Sequence, residues 1–274
     1  MKTIYFAGDS HTCGTIDTID FDANPGLNYN DINYTNHLAF MLGYKIIGNT
    51  GRGGASNSYI WNKVEHMLWQ VNHGLKPKPD FVVVGWSEYT RQDWFYEDQI
   101  LTVGLATNDI EYYSQSINTE RVELHAGFPH EKADEIWPER ADYTRNVMTD
   151  LIRGEGIRHF QQNYMYNLHQ QLQYLNIPHL FFNAHLGFCD KKAADRGYSR
   201  LVDNNEYYVP VYEFDWDNCF WNPYDEYNGS YVSWAQNQGL ELTDGNHVVY
   251  PGAKMFARVL YDHIQEHGLI KTTL

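Results

Sequence analysis

Apolar positions recur along the chain with two different periods. Thr3 to Ala7 predicts a short buried strand that enters a Gly-Asp-Ser loop. Leu38 to Leu42 is expected on a first helix, and Lys45 to Gly48 on a second strand leading into Gly51-Arg52-Gly53-Gly54. Ile60, Val64, Met67, Leu68 and Val71 fall at spacings of 4, 3, 1 and 3, the stripe of an amphipathic helix. Phe81 to Val84 is a β-branched run of the kind found in central parallel strands. Tyr164, Leu168, Leu172 and Leu175 form another helical stripe, which Asn176-Ile177-Pro178 ends before a strand from His179 to Asn183. A last helix is predicted to begin near Pro251, a residue suited to the first helical position. Its buried face is expected to carry Ala253, Phe256, Ala257, Leu260, Tyr261 and Ile264.

Strands alternating with helices imply an α/β fold, a parallel sheet with helices on both faces. Two stretches break the pattern. Residues 92–160 and 186–240 are polar, aromatic-rich and aperiodic, and are expected to be insertions on the loop side of the sheet within one domain spanning 1–274. Loops at the carboxyl ends of such strands build the ligand site.

Composition narrows the classes. Lys and Arg number 20 against 35 Asp and Glu, a formal charge of −15. That balance argues against a nucleic-acid footprint, which needs clustered cations, and against an anionic membrane surface. With 43% hydrophobic residues and 16% aromatic ones, the 274-residue chain is not a solvated, disordered one. The apolar run at Phe81 is far shorter than the ~20 residues of a membrane span. The short apolar run before Asp9 does not make a signal-peptide core, so a cytoplasmic location is expected. Cys13, Cys189 and Cys219 form no C-x-x-C, so neither a disulfide framework nor a structural zinc site is expected.

Three features could carry chemistry. Gly8-Asp9-Ser10-His11-Thr12-Cys13-Gly14 follows the first strand. A serine in such a turn presents its hydroxyl at the sheet's edge and can aim its own N–H at an oxyanion. The plainer alternative is an Asp-Ser helix cap. Thr243-Asp244-Gly245-Asn246-His247 precedes the last helix, and an Asp three residues before a His can fold back to fix its tautomer. The alternative is a solvated turn. Asn49 to Asn57 offers bare glycine N–H groups to a negative oxygen, or is simply a Gly-rich turn. No Gly-Lys-Ser/Thr follows these glycines, and Gly-x-Ser-x-Gly and His-Glu-x-x-His are absent.

Taken together, these blocks resemble the SGNH hydrolases, also called GDSL esterases and lipases. Gly8-Asp9-Ser10 is similar to the family's first block, Gly54 to the glycine of its second, and Asp244 with His247 to its last. The resemblance covers both ends of the chain and the middle strand. It implies a flavodoxin-like three-layer α/β/α sandwich. It also implies Ser10 as nucleophile, His247 as base and Asp244 as the group orienting that base. The oxyanion hole would be the N–H groups of Ser10 and Gly54 with the Ser87 hydroxyl. No metal or organic cofactor is implied. One block departs: the family has Gly-x-Asn-Asp after the central strand, whereas this chain has Gly85-Trp86-Ser87-Glu88. A serine hydroxyl can donate to an oxyanion, but on a shorter arm than an amide.

The activity implied is acyl transfer from an ester to water. Trp86, Tyr89, Trp94, Phe95 and Tyr96 follow the third block, and Tyr207, Tyr208, Trp216, Trp221, Tyr224 and Trp234 crowd the second insertion. Aromatic faces beside Asn and Asp suit sugar rings, so an acyl group, such as acetyl, on a carbohydrate is the expected ester, a small molecule or a glycan. Trp86, Arg91 and Arg52 are the expected substrate contacts. The same aromatics equally suit packing of the insertions onto the domain. The competing reading is a non-catalytic binding or structural protein of this fold with a weakened site, such as a bacteriophage protein carried in a virion.

Overall fold

Strands and helices alternate from the start of the chain in the computed structural model. It describes residues 1–14, 33–87, 91–96, 99–105, 122–124, 156–185, 218–223, 229–243 and 247–270. In chain order come β1 (Thr3–Ala7), a one-turn helix α1 (Ser10–Cys13), α2 (Tyr34–Leu42), β2 (Lys45–Asn49), α3 (Asn57–Asn72) and β3 (Phe81–Trp86). Then follow β4 (Gln92–Tyr96), β5 (Gln99–Leu105), β6 (Val122–Leu124), α4 (Gly156–Tyr174), β7 (His179–Asn183), β8 (Phe220–Trp221), α5 (Tyr231–Asn237) and α6 (Gly252–Glu266).

The main sheet is five-stranded and parallel, in the order β2-β1-β3-β7-β8. Counting only its own strands, that is 2-1-3-4-5, the flavodoxin-like order. Period two sorts its side chains. Ile4 and Phe6 of β1, Phe81 and Val83 of β3, and Leu180 and Phe182 of β7 share one face. Tyr5 and Ala7, Val82, Val84 and Trp86, and Phe181 share the other. The first face is covered by Leu38 of α2, Tyr231 and Trp234 of α5, and Phe256, Leu260 and Ile264 of α6. The second is covered by Ile60, Val64 and Leu68 of α3 and by Leu168 and Leu172 of α4. Burying each such side chain contributes ~1.5–3 kcal/mol, so the sheet is held rigidly between two apolar layers. No helix among the described residues is long and apolar enough to cross a membrane.

Among the described residues, parts of the two aperiodic stretches form regular elements. β4, β5 and β6 make a separate antiparallel sheet. Residues 218–223 and 229–240 belong to the main body: β8 extends the parallel sheet, and Trp221, Tyr231 and Trp234 are buried in its core. Tyr89, Tyr207, Tyr208, Trp216 and Tyr224 lie outside the described residues.

Candidate active site

The carboxyl end of β1 passes directly into the turn that bears Ser10. Asp9 sits in extended conformation and accepts the His11 N–H at 3.0 Å, while its carbonyl accepts those of Thr12 and Cys13. The aspartate therefore caps α1, and Ser10 is the first residue of the helical turn it nucleates. The cap expected from the sequence is present, and Ser10 stands inside the turn rather than serving as the cap. Asn33 and Asn49 each donate a side-chain N–H to the Thr12 carbonyl, at 2.8 and 3.1 Å, and fix the far side of the turn. The approach to β3 is very close. A Cβ on Gly8 would lie 2.0 Å from Thr12 Oγ1 and 2.9 Å from the Gly85 carbonyl oxygen.

His247 comes from the other end of the chain. Its Nε2 lies 2.8 Å from Ser10 Oγ, the distance of a hydroxyl donating to an imidazole. The backbone around it is pinned: the His247 N–H donates to Thr243 Oγ1 at 3.2 Å, and the Thr243 N–H donates to the His247 carbonyl at 2.9 Å. An antiparallel bridge between Leu242 and Val248 flanks that pair. Asp244 lies outside the described residues.

The loop after β2 lies against the turn that bears Ser10. The Arg52 N–H donates to the Gly8 carbonyl at 3.1 Å, and a Cβ on Gly51 would stand 2.5 Å from the Cys13 nitrogen. Gly54 has φ of 68°, a left-handed conformation that favours glycine. The backbone N–H groups of Ser10 and Gly54 make no hydrogen bond among the described residues. Both remain available as donors.

Ser87 immediately follows β3 and has no exposed surface, so its hydroxyl, expected as an oxyanion donor, is not open to a ligand. Asn57, at the start of α3, holds it from both sides: Asn57 Oδ1 accepts the Ser87 N–H at 2.7 Å, and Asn57 Nδ2 donates to the Ser87 carbonyl at 3.0 Å. The same amide nitrogen donates to Gln161 Oε1 of α4 at 2.6 Å. Arg91 Nη1 donates to Ser87 Oγ at 3.0 Å and lies 3.9 Å from Asp9 Oδ2. That arginine is buried and bridges the third block to the first.

Of the expected substrate contacts, Trp86 is fully buried and packs edge-on against Phe181 in the core, so it presents no surface to a ligand. Its place was readable from alternation, since Val82, Val84 and Trp86 share a face. Arg52 is partly exposed and holds its guanidinium 4.9 Å over the Tyr59 ring.

Two further histidines surround the pair without any spacing signal in the sequence. The His11 ring is 5.0 Å from that of His247, 5.6 Å from that of His185 and 5.4 Å from that of Tyr231. Burial holds the His11 imidazole well below its ordinary value, and the neighbouring His185, His247 and Arg91 act in the same direction. His11 is therefore a neutral wall of the site. Burial likewise pushes the Cys13 thiol up to about 11, helped by Asp9, which leaves it a thiol rather than a nucleophilic thiolate. Ser10 Oγ and His247 Nε2 are accordingly the hydroxyl–imidazole pair that the fold brings together.

No family model and no curated protein sequence matches the chain. Solved structures do align over nearly all of it, at low identity. The psychrotrophic esterase EstA from Pseudoalteromonas sp. aligns at 12% identity and TM-score 0.41, over 97% of this chain and 96% of that one. The acetyl xylan esterase AlAXEase aligns at 14% identity and TM-score 0.37, over 96% and 98%. The acetyl xylan esterase Est2A from the rumen bacterium Butyrivibrio proteoclasticus aligns at 14% identity and TM-score 0.42, over 98% of this chain and 65% of that one.

Proposed function

We propose that the chain is a serine ester hydrolase of the SGNH type. The observation that carries this reading is the 2.8 Å contact between Ser10 Oγ and His247 Nε2. In the proposed reaction the Ser10 oxygen attacks the ester carbonyl carbon while His247 Nε2 takes the hydroxyl proton. The carbonyl oxygen becomes an oxyanion, held by the N–H groups of Ser10 and Gly54. Ser87, which has no exposed surface and whose hydroxyl holds Arg91, is left out of the hole, which then has two backbone donors. Collapse expels the alcohol, to which His247 returns the proton. Water, activated by the same imidazole, then releases the acid from Ser10. Asp244 fills the orienting role on the other ring nitrogen. Every step is completed by side chains and backbone, with no cofactor invoked.

The ester proposed is an acyl group, such as acetyl, on a carbohydrate. The support is compositional: residues 186–240 carry 16 Tyr, Trp and Asn against 7 Leu, Ile and Val, few aliphatics for a lipid chain. Incubation with a fluorophosphonate probe and mapping of the labelled peptide tests the core of the reading. Ser10 is expected to be the labelled residue, and Ser10→Ala to abolish both labelling and turnover of acetylated sugars. Label on another serine, or none, overturns it.

A further inference from the structure

Three buried donors meet at the opposite edge of the main sheet. His179 opens β7, His169 lies on α4, and Cys219 immediately precedes β8. All three are buried, and one ligand atom from each falls within 4.8 Å of the others. Ser10 lies past the carboxyl ends of the strands, whereas His179 is at the amino end of its strand, about 13 Å away along β7 alone. The cluster is therefore separate from the proposed catalytic site.

The hydrogen bonds around it fix the tautomers. His179 Nδ1 is 3.0 Å from the Ile177 carbonyl, which can only accept, so that nitrogen bears the proton. His179 Nε2 is then a lone pair, and it accepts from His169 Nδ1 at 2.8 Å. The Ile177 bond also orients the His179 ring in the way that outer partners orient metal-bound imidazoles. The surroundings are apolar: Leu168, Leu172, Ile177 and Phe181 pack in the same cluster, with the Phe181 ring 4.9 Å from His179. Among the described residues no carboxylate joins the three donors.

From this placement we propose that His169 Nδ1, His179 Nε2 and Cys219 Sγ form a three-coordinate site for a monovalent soft cation, Cu(I). The donor set is soft, with one thiolate and two imidazoles. Charge selects the valence. Cu(I) with one thiolate is neutral, whereas a divalent ion leaves a net positive charge in an apolar interior, which is costly. Binding balances simply. The Cys219 thiol loses its proton to solvent, and His169 moves its proton from Nδ1 to Nε2. His179 keeps its proton on Ile177, and nothing is oxidised or reduced. The two imidazole nitrogens must part from 2.8 Å to about 3.5 Å to accept an ion between them, a shift that side-chain rotation supplies.

The test uses the full chain, metal-free and reduced, with Cu(I) delivered anaerobically against a competing Cu(I) chelator. One equivalent is expected to be retained, with a rise of several degrees in Tm. Cys219→Ser and His169→Gln should each weaken retention about a hundredfold or more and abolish the Tm rise. Cys13→Ser and Cys189→Ser should keep both. Should Cys219→Ser prove unstable, His169→Gln carries the test. The proposal is overturned if no copper is retained, if retention survives Cys219→Ser and His169→Gln, or if Zn(II) displaces Cu(I) in the same competition.

Discussion

Ser10 Oγ and His247 Nε2 meet at 2.8 Å across 237 positions of sequence. If they act as one unit, their removal is not additive. Ser10→Ala and His247→Ala should each lower kcat by about 10³-fold or more, and the double variant should be no slower than either. Steady-state kinetics on the three variants decides this. A double variant slower by the product of the two effects would mean that the residues act independently.

Ser87 is the position where chemistry and architecture can be separated. A side chain with no exposed surface does not reach a substrate oxygen, so Ser87→Ala should leave kcat near normal and lower Tm through its lost hold on Arg91. A fall in kcat of ~10²–10³-fold with KM little changed would instead make Ser87 an oxyanion donor. Ser87→Asn should destabilise the fold, since position 87 has no exposed surface and its backbone is clasped by Asn57 on both sides.

Asn57 is expected to be costly to replace. Asn57→Ala leaves the Ser87 N–H, the Ser87 carbonyl and Gln161 Oε1 without their partner in a buried setting. Stability should fall by about 2–4 kcal/mol in urea unfolding. A loss well under 1 kcal/mol would show that water replaces the amide.

Acid should destabilise the protein through its buried imidazoles. Burial pushes His179 down to about 4; the Ile177 carbonyl opposes that fall and His169 adds to it. His11 is lowered as well. In the unfolded chain these groups protonate near ~6.5, so the unfolded state takes up protons first. The stability that His179 contributes is complete above about 6.5 and is lost as pH falls through about 4, and the lowered His11 acts in the same direction. For His179 the amount is about 3 kcal/mol. Urea midpoints measured across that window should fall less steeply with acid in His179→Gln than in the unchanged chain.

His11 should not set the pH dependence of the rate. A neutral ring 5.0 Å from His247 exerts no net charge on it, so His11→Gln should leave the midpoint of the pH–rate profile in place. A shift in that midpoint would show that His11 is charged in the working enzyme.

The periodic elements could be read from sequence because each carries its own signal. Thr3–Ala7 and His179–Asn183 match their predicted bounds, and Ala253, Phe256, Ala257, Leu260 and Ile264 do face the core. β8 was hidden because two residues cannot display a period. α5 was hidden because Tyr231–Asn237 sits among Ser, Gly, Asn and Asp, which read locally as loop. Ser10 and His247 are singled out by the resemblance of Gly8-Asp9-Ser10 and Asp244-x-x-His247 to family blocks, and the fold brings their side chains within 2.8 Å. The Asn57–Ser87 clasp and the placing of His185 beside His11 could not be read, since both depend on separate segments brought together by the sheet. The cluster of His169, His179 and Cys219 was invisible for the same reason.

The close approach at Gly8 reaches beyond the turn itself. Gly85 stands on a different strand, yet a Cβ there would meet Thr12 Oγ1 at 2.9 Å, the same atom that a Cβ on Gly8 would strike. The place of the Ser10 turn is thus set by matter missing at two points at once, just past β1 and within β3. Adding a methyl group to either would push on Thr12 and swing the helical turn that carries Ser10. Sequence libraries built on this scaffold should therefore treat the two glycines as a single locked unit.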